Sequence, residues 1–177
     1  MATIANANLL ISVNGQLDEP DTTINLLPSQ SVMIDVFGVQ PETATPIDQF
    51  LIVQGPGTVA GGVMLYGGFG SFLNLYTDDT QVIPALVGLG YNTHQAYYMN
   101  FIEMTTNAPP ALLGKLVDEI ILHCEGTGDV LLSLVNISGD PGSEVITVSD
   151  TQLIHQIPEP ITVALLGLGG LFLRRRK

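Results

Sequence analysis

Leu116-Val-Asp-Glu-Ile-Ile-Leu-His-Cys-Glu-Gly-Thr-Gly-Asp-Val-Leu-Leu-Ser-Leu-Val-Asn-Ile137 is the stretch that decides the fold class. Two apolar runs rich in β-branched residues, 116–124 and 130–137, flank a polar segment that carries Gly126 and Gly128. Runs of that length are strands, and glycines between them predict an antiparallel hairpin. Period-two alternation puts Leu122 and Cys124 on one face and turns His123 to the other.

The same rhythm extends outward. Residues 9–13 form an apolar run before Asn14-Gly15, a turn dipeptide. Val32, Ile34 and Val36 alternate with Met33, Asp35 and Phe37, as a half-buried strand does. Further strands are expected at 49–54, 59–65, 96–104 and 144–148. Gln40-Pro41-Glu42, Gly55-Pro56-Gly57, Pro109-Pro110 and Gly139-Asp-Pro-Gly142 supply breakers between them. Only residues 71–76 read as a helical turn. Many short strands with almost no helix predict an all-β chain folded as an antiparallel β-sandwich.

Composition narrows the function. The chain has 177 residues, 46% of them hydrophobic, enough for one domain with a sizeable core. Its formal charge is −12, and four of the five basic residues are Arg174, Arg175, Arg176 and Lys177. Lys115 is thus the sole lysine or arginine in the first 173 residues, which carry all 17 acidic residues. Such a surface repels nucleic acid, and no nucleic-acid partner is expected. Cys124 is the only cysteine, which rules out an intramolecular disulfide and points to a buried small hydrophobe.

The C-terminal end has its own organisation. Pro158, Glu159 and Pro160 form a stiff extended strip with one carboxylate. Residues 161–173 are thirteen positions without a charge, and as a helix they would rise ~20 Å. That is short of a ~30 Å hydrocarbon core, a gap that snorkelling arginines and local thinning would partly close. Alone, such a run would favour a core helix or strand of the domain. The polycation Arg174 to Lys177 directly after it favours a single transmembrane helix with a cytoplasmic stop. In this order, Pro-Glu-Pro strip, apolar segment and basic end resemble the PEP-CTERM sorting signal of Gram-negative bacteria. The resemblance implies an exosortase as processing partner and transient residence in the inner membrane. Release or re-attachment at the cell surface would follow.

At the other end, residues 1–7 have no basic or long apolar region, but Ala5-Asn6-Ala7 has the small-residue spacing of a signal-peptidase site. They are read as the remnant of a signal peptide. The expected organisation is therefore 1–7 remnant, 8–156 β-sandwich and 157–177 sorting tail, with motif 158–160, transmembrane segment 161–173 and basic end 174–177.

A second resemblance concerns the body. Leu10-Ile-Ser-Val13, Ile24-Asn-Leu-Leu-Pro-Ser-Gln-Ser-Val-Met-Ile-Asp-Val36 and Leu116 to Val130 look like the cohesin-like jelly-roll domains of exported planctomycete proteins. That likeness implies a nine-stranded sandwich whose sheet face holds a dockerin-like or carbohydrate-associated partner. It assigns no individual contact residue.

Catalytic chemistry is not evident. His94, His123 and His155 show no metal-ligand spacing, and no nucleophile elbow or phosphate loop is present. Asp18, Glu19 and Asp21 cluster before a strand, and Glu125 and Asp129 flank a turn. Asp78 and Asp79 in a loop are candidate oxygen ligands for Ca²⁺, although no twelve-residue loop with a closing glutamate surrounds them. No other cofactor is expected. Asn136-Ile137-Ser138 matches a glycosylation sequon by pattern only. The expectation is an exported, non-enzymatic surface or matrix protein associated with exopolysaccharide. The alternative is a cohesin-type carbohydrate- or dockerin-binding module, and a small two-carboxylate hydrolase ranks last.

Overall fold

Apolar alternation and frequent breakers give eleven strands among the residues that the structure, a computed structural model, describes: 9–17, 24–43, 48–65, 69–73, 95–100, 111–138 and 145–157. They are β1 (Leu9–Val13), β2 (Gln16–Leu17), β3 (Ile24–Leu26), β4 (Ser31–Thr43), β5 (Asp48–Gln54), β6 (Gly57–Met64), β7 (Phe69–Leu73), β8 (Gln95–Asn100), β9 (Ala111–Cys124), β10 (Gly128–Ser138) and β11 (Val145–Gln156). The first sheet has the order β2-β1-β4-β9-β6, and the second β3-β11-β10-β5-β8-β7. The architecture is the expected all-β two-sheet sandwich. One pair departs from the antiparallel rule: β3 runs parallel to β11, with Ile24 opposite Ile154 and Leu26 opposite Gln156.

The inner faces interdigitate. Ile11, Val36, Ile34, Ile120 and Leu122 from the first sheet meet Leu51, Tyr97, Leu132, Leu134 and Ile154 from the second, all essentially inaccessible to solvent. Each such side chain contributes roughly 1.5–3 kcal/mol by leaving water. β5 is apolar at consecutive positions because both its faces are buried. Leu51 and Val53 enter the main core, whereas Phe50 and Ile52 join Ala96, Val135 and Ile137 in a second cluster on the opposite face. The Phe50 and Tyr98 rings meet there in a tilted pair, 5.2 Å between centroids and 41° between planes.

The turn at Asn14-Gly15 is as expected. Val13 pairs with Gln16 across a two-residue loop, and both loop residues have positive φ (53° and 79°), the geometry that fits strand twist.

Four expectations are corrected. The 116–124 and 130–137 runs are strands but not a hairpin: β9 lies between β4 and β6, and β10 between β5 and β11. Both flanks of each strand are already paired, so 125–127 carry the chain from one sheet to the other. The helical turn at 71–76 is absent where it is described, because residues 71–73 belong to β7, paired with β8; residues 74–76 lie outside the described residues. Gln40-Pro41-Glu42 does not end β4 but sits inside it, where the register shifts between Val39 and Thr43. Proline has no N–H for the ladder, so it occupies the irregular stretch. The final strand is also longer than 144–148, reaching Gln156.

Candidate functional site

Lys115, the sole cation of the body, is drawn to two carboxylates by irregularities in β9. Ile34 pairs with Ile120, Val36 with Val117 and Phe37 with Lys115, so β9 carries extra residues against β4 on both sides of Val36. Glu119 takes the left-handed conformation at φ 61°, which an L-residue with a full side chain seldom adopts. Bulges re-aim side chains. Here Lys115 Nζ lies 3.0 Å from Asp35 Oδ2 and donates to Asp118 Oδ1, also at 3.0 Å. The Phe37 ring sits 5.8 Å from the ammonium.

Asp35 is the unusual member. Its neighbours Ile34 and Val36 point into the core, yet its own side chain is 0% exposed. Lys115 reaches it at ion-pair distance, and among the described residues neither carboxylate oxygen has a further donor. Ser12, opposite Asp35 in the β1–β4 register, is equally buried, and its Oγ has no hydrogen-bond partner among the described residues. Burial above all, with help from Asp118, pushes the Asp35 carboxyl above the usual carboxylate range against the pull of Lys115. Asp118 is held below that range, chiefly by its bond from Lys115. Asp35 first, then Asp118, raises Lys115 above the ordinary lysine value.

The sequence-predicted positions scatter. His123 turns away from the core as expected and meets Ser31 Oγ through Nδ1 at 3.0 Å. Cys124 is buried at 1% exposure, and its thiol donates to the Gly126 carbonyl, in keeping with a packing role. His155 pairs with Asp129, 26 residues away in sequence, while Glu125 is exposed. Asn136 of the sequon is 3% exposed inside the sandwich and does not present its amide to a transferase. Among the described residues, no group of three or more His, Cys, Asp or Glu could hold a metal ion. Asp78, Asp79, Asp18, Glu19, Asp21 and His94 lie outside the described residues, as do residues 1–7.

The sorting elements Pro158, Glu159, Pro160, residues 161–173 and Arg174, Arg175, Arg176 and Lys177 also lie outside them. No described helix is long and apolar enough to cross a membrane. The Ile157 N–H donates to the Leu26 carbonyl at 2.8 Å, extending the β3–β11 pairing to the residue before Pro158.

Sequence reasoning noticed that Lys115 was alone but did not join it to Asp35 and Asp118. The available signal was an acidic residue at the centre of an apolar alternation, Ile34-Asp35-Val36, in a chain with a single body cation.

Comparison with protein families matches residues 156–177 to the PEP-CTERM protein-sorting motif. The C-terminus thus carries that motif, which implies an exported protein sorted to the membrane or cell surface and processed by an exosortase. No curated protein matches the chain. Among solved structures, one chain of a crystal structure of a CaDoc0917 variant in complex with CaCohA2, at pH 5.5, is similar at 13% identity and TM-score 0.45, over 84% of this chain and 99% of that one. A structure described as "BspA_C_mut" is similar at 10% identity and TM-score 0.46, over 87% of this chain and 53% of that one.

Proposed function

We propose that the chain is an exported, non-catalytic β-sandwich that its C-terminal signal delivers to the cell surface, where it serves as an adhesion, matrix or scaffold component. The observation that carries this reading is the sorting motif at 156–177. The order of its parts supplies the physics. A stiff Pro-Glu-Pro strip is an accessible protease substrate, an uncharged segment partitions into lipid, and a terminal polycation resists crossing. The body complements the tail. Its acidic surface keeps it soluble beside anionic membranes and polysaccharide. Extracellular polysaccharide, or a dockerin-like module, is the partner class this reading expects, with binding on a sheet face.

Cell fractionation of an exosortase-carrying bacterium tests it. The natural chain should appear at the surface or in the medium. A chain with Pro158→Ala, Glu159→Ala and Pro160→Ala together should accumulate at full length in the inner membrane. Equal surface delivery of both would overturn the reading.

A further inference from the structure

We propose that Lys115 and Asp35 condense into an intramolecular amide, Nζ to Cγ, with Asp118 carrying the protons, so that a covalent staple joins β4 to β9. The juxtaposition is that of a built reaction site. The amine nitrogen lies 3.0 Å from Asp35 Oδ2, which places the carboxyl carbon, one C–O bond further on, next to the nucleophile it would join. Asp35 is wholly shielded from water, the condition under which loss of water is favoured over hydrolysis. A second carboxylate touches the same ammonium at 3.0 Å and is placed to accept and return protons. Register shifts flank Val36 on β4, and the left-handed Glu119 sits beside Asp118; local strain of this kind collects at functional positions.

The step balances without any co-reactant. Asp118 takes one proton from the Lys115 ammonium and passes it to an Asp35 oxygen. The freed nitrogen lone pair forms the bond to Cγ, and the tetrahedral centre collapses by breaking one C–O bond. The departing oxygen leaves as water with two of the three ammonium protons, and the third stays on the amide nitrogen. Burial favours the neutral acid that Asp35 must become. The two carboxylates favour the ammonium form of Lys115, which is why Asp118 is needed at the moment of attack. The inference is independent of how the tail is processed.

Intact-mass spectrometry of the purified full chain is the test. The expected result is a mass lower than that of the sequence by one water, with a digest yielding a branched peptide that joins Lys115 to Asp35. Lys115→Met and Asp35→Ala should each restore the full mass. Asp118→Ala should slow formation of the branched peptide by about a hundredfold or more. A natural chain at full sequence mass, with the Lys115 and Asp35 peptides recovered separately, overturns the proposal whether or not any variant folds. So does a water loss that maps elsewhere.

Discussion

Asp150 Oδ2 accepts the backbone N–H of Ile11 at 2.7 Å, joining β11 of the second sheet to β1 of the first. Among the described residues β2 pairs with Ser12 and Val13 alone, and the Ile11 N–H on that side meets no ladder partner there. A carboxylate from the facing sheet satisfies this backbone donor instead.

Asp150→Ala should therefore destabilise the sandwich by about 2 kcal/mol, since it orphans a backbone donor that a charged acceptor had satisfied. Asp150→Asn, which keeps an acceptor oxygen, should cost less. Urea denaturation followed by fluorescence or circular dichroism measures both, with unchanged slopes expected if only the folded state is affected.

Much of the sandwich was legible because it rests on local signals. Asn14-Gly15 specified its turn, and alternation from Val32 to Phe37 specified the inner face of β4. What failed was partner choice. The 116–137 stretch reads locally as a hairpin, and only the occupancy of the strands beside β9 and β10 shows that it crosses between sheets. The 71–73 segment reads as helical by composition, but pairing with β8 overrides that preference. The Lys115 cluster escaped for a related reason: bulges in β9 bring Lys115 and Asp118 to Asp35, and register shifts leave little trace in sequence. The sorting motif at 156–177 was legible because its parts follow one another along the chain.

Gly62→Ala should be costly for two reasons. The residue has φ 88°, and an added Cβ would come 2.7 Å from Cε2 of the buried Tyr97 ring. Overpacking and the left-handed backbone together should cost about 2 kcal/mol or more. A cycle with Tyr97→Leu checks the mechanism, because the double variant should lose clearly less than the sum of the two single ones.

Tyr97 also sets an alkaline limit. Burial holds its hydroxyl above the ordinary value of 10.0. The folded chain then keeps a proton that the unfolded chain releases, so stability should fall as pH climbs from about 10 towards the folded value. Tyr97→Phe should flatten that part of the profile in urea titrations run at successive pH values. An identical slope in the variant would contradict the assignment.

Cys124, at 1% exposure and with its thiol on the Gly126 carbonyl, should resist alkylation in the native chain. Labelling by iodoacetamide should track unfolding and become rapid only in denaturant. Fast labelling of the folded protein would mean that the thiol is not part of the core.

The most direct measurement is mass spectrometry of the C-terminal peptide of the protein recovered from the surface of its own cells. The account predicts chains that end at or near Pro158 to Pro160, or that carry a new group joined there, with residues 161–177 gone. Surface protein that still ends in an intact Lys177 would contradict it.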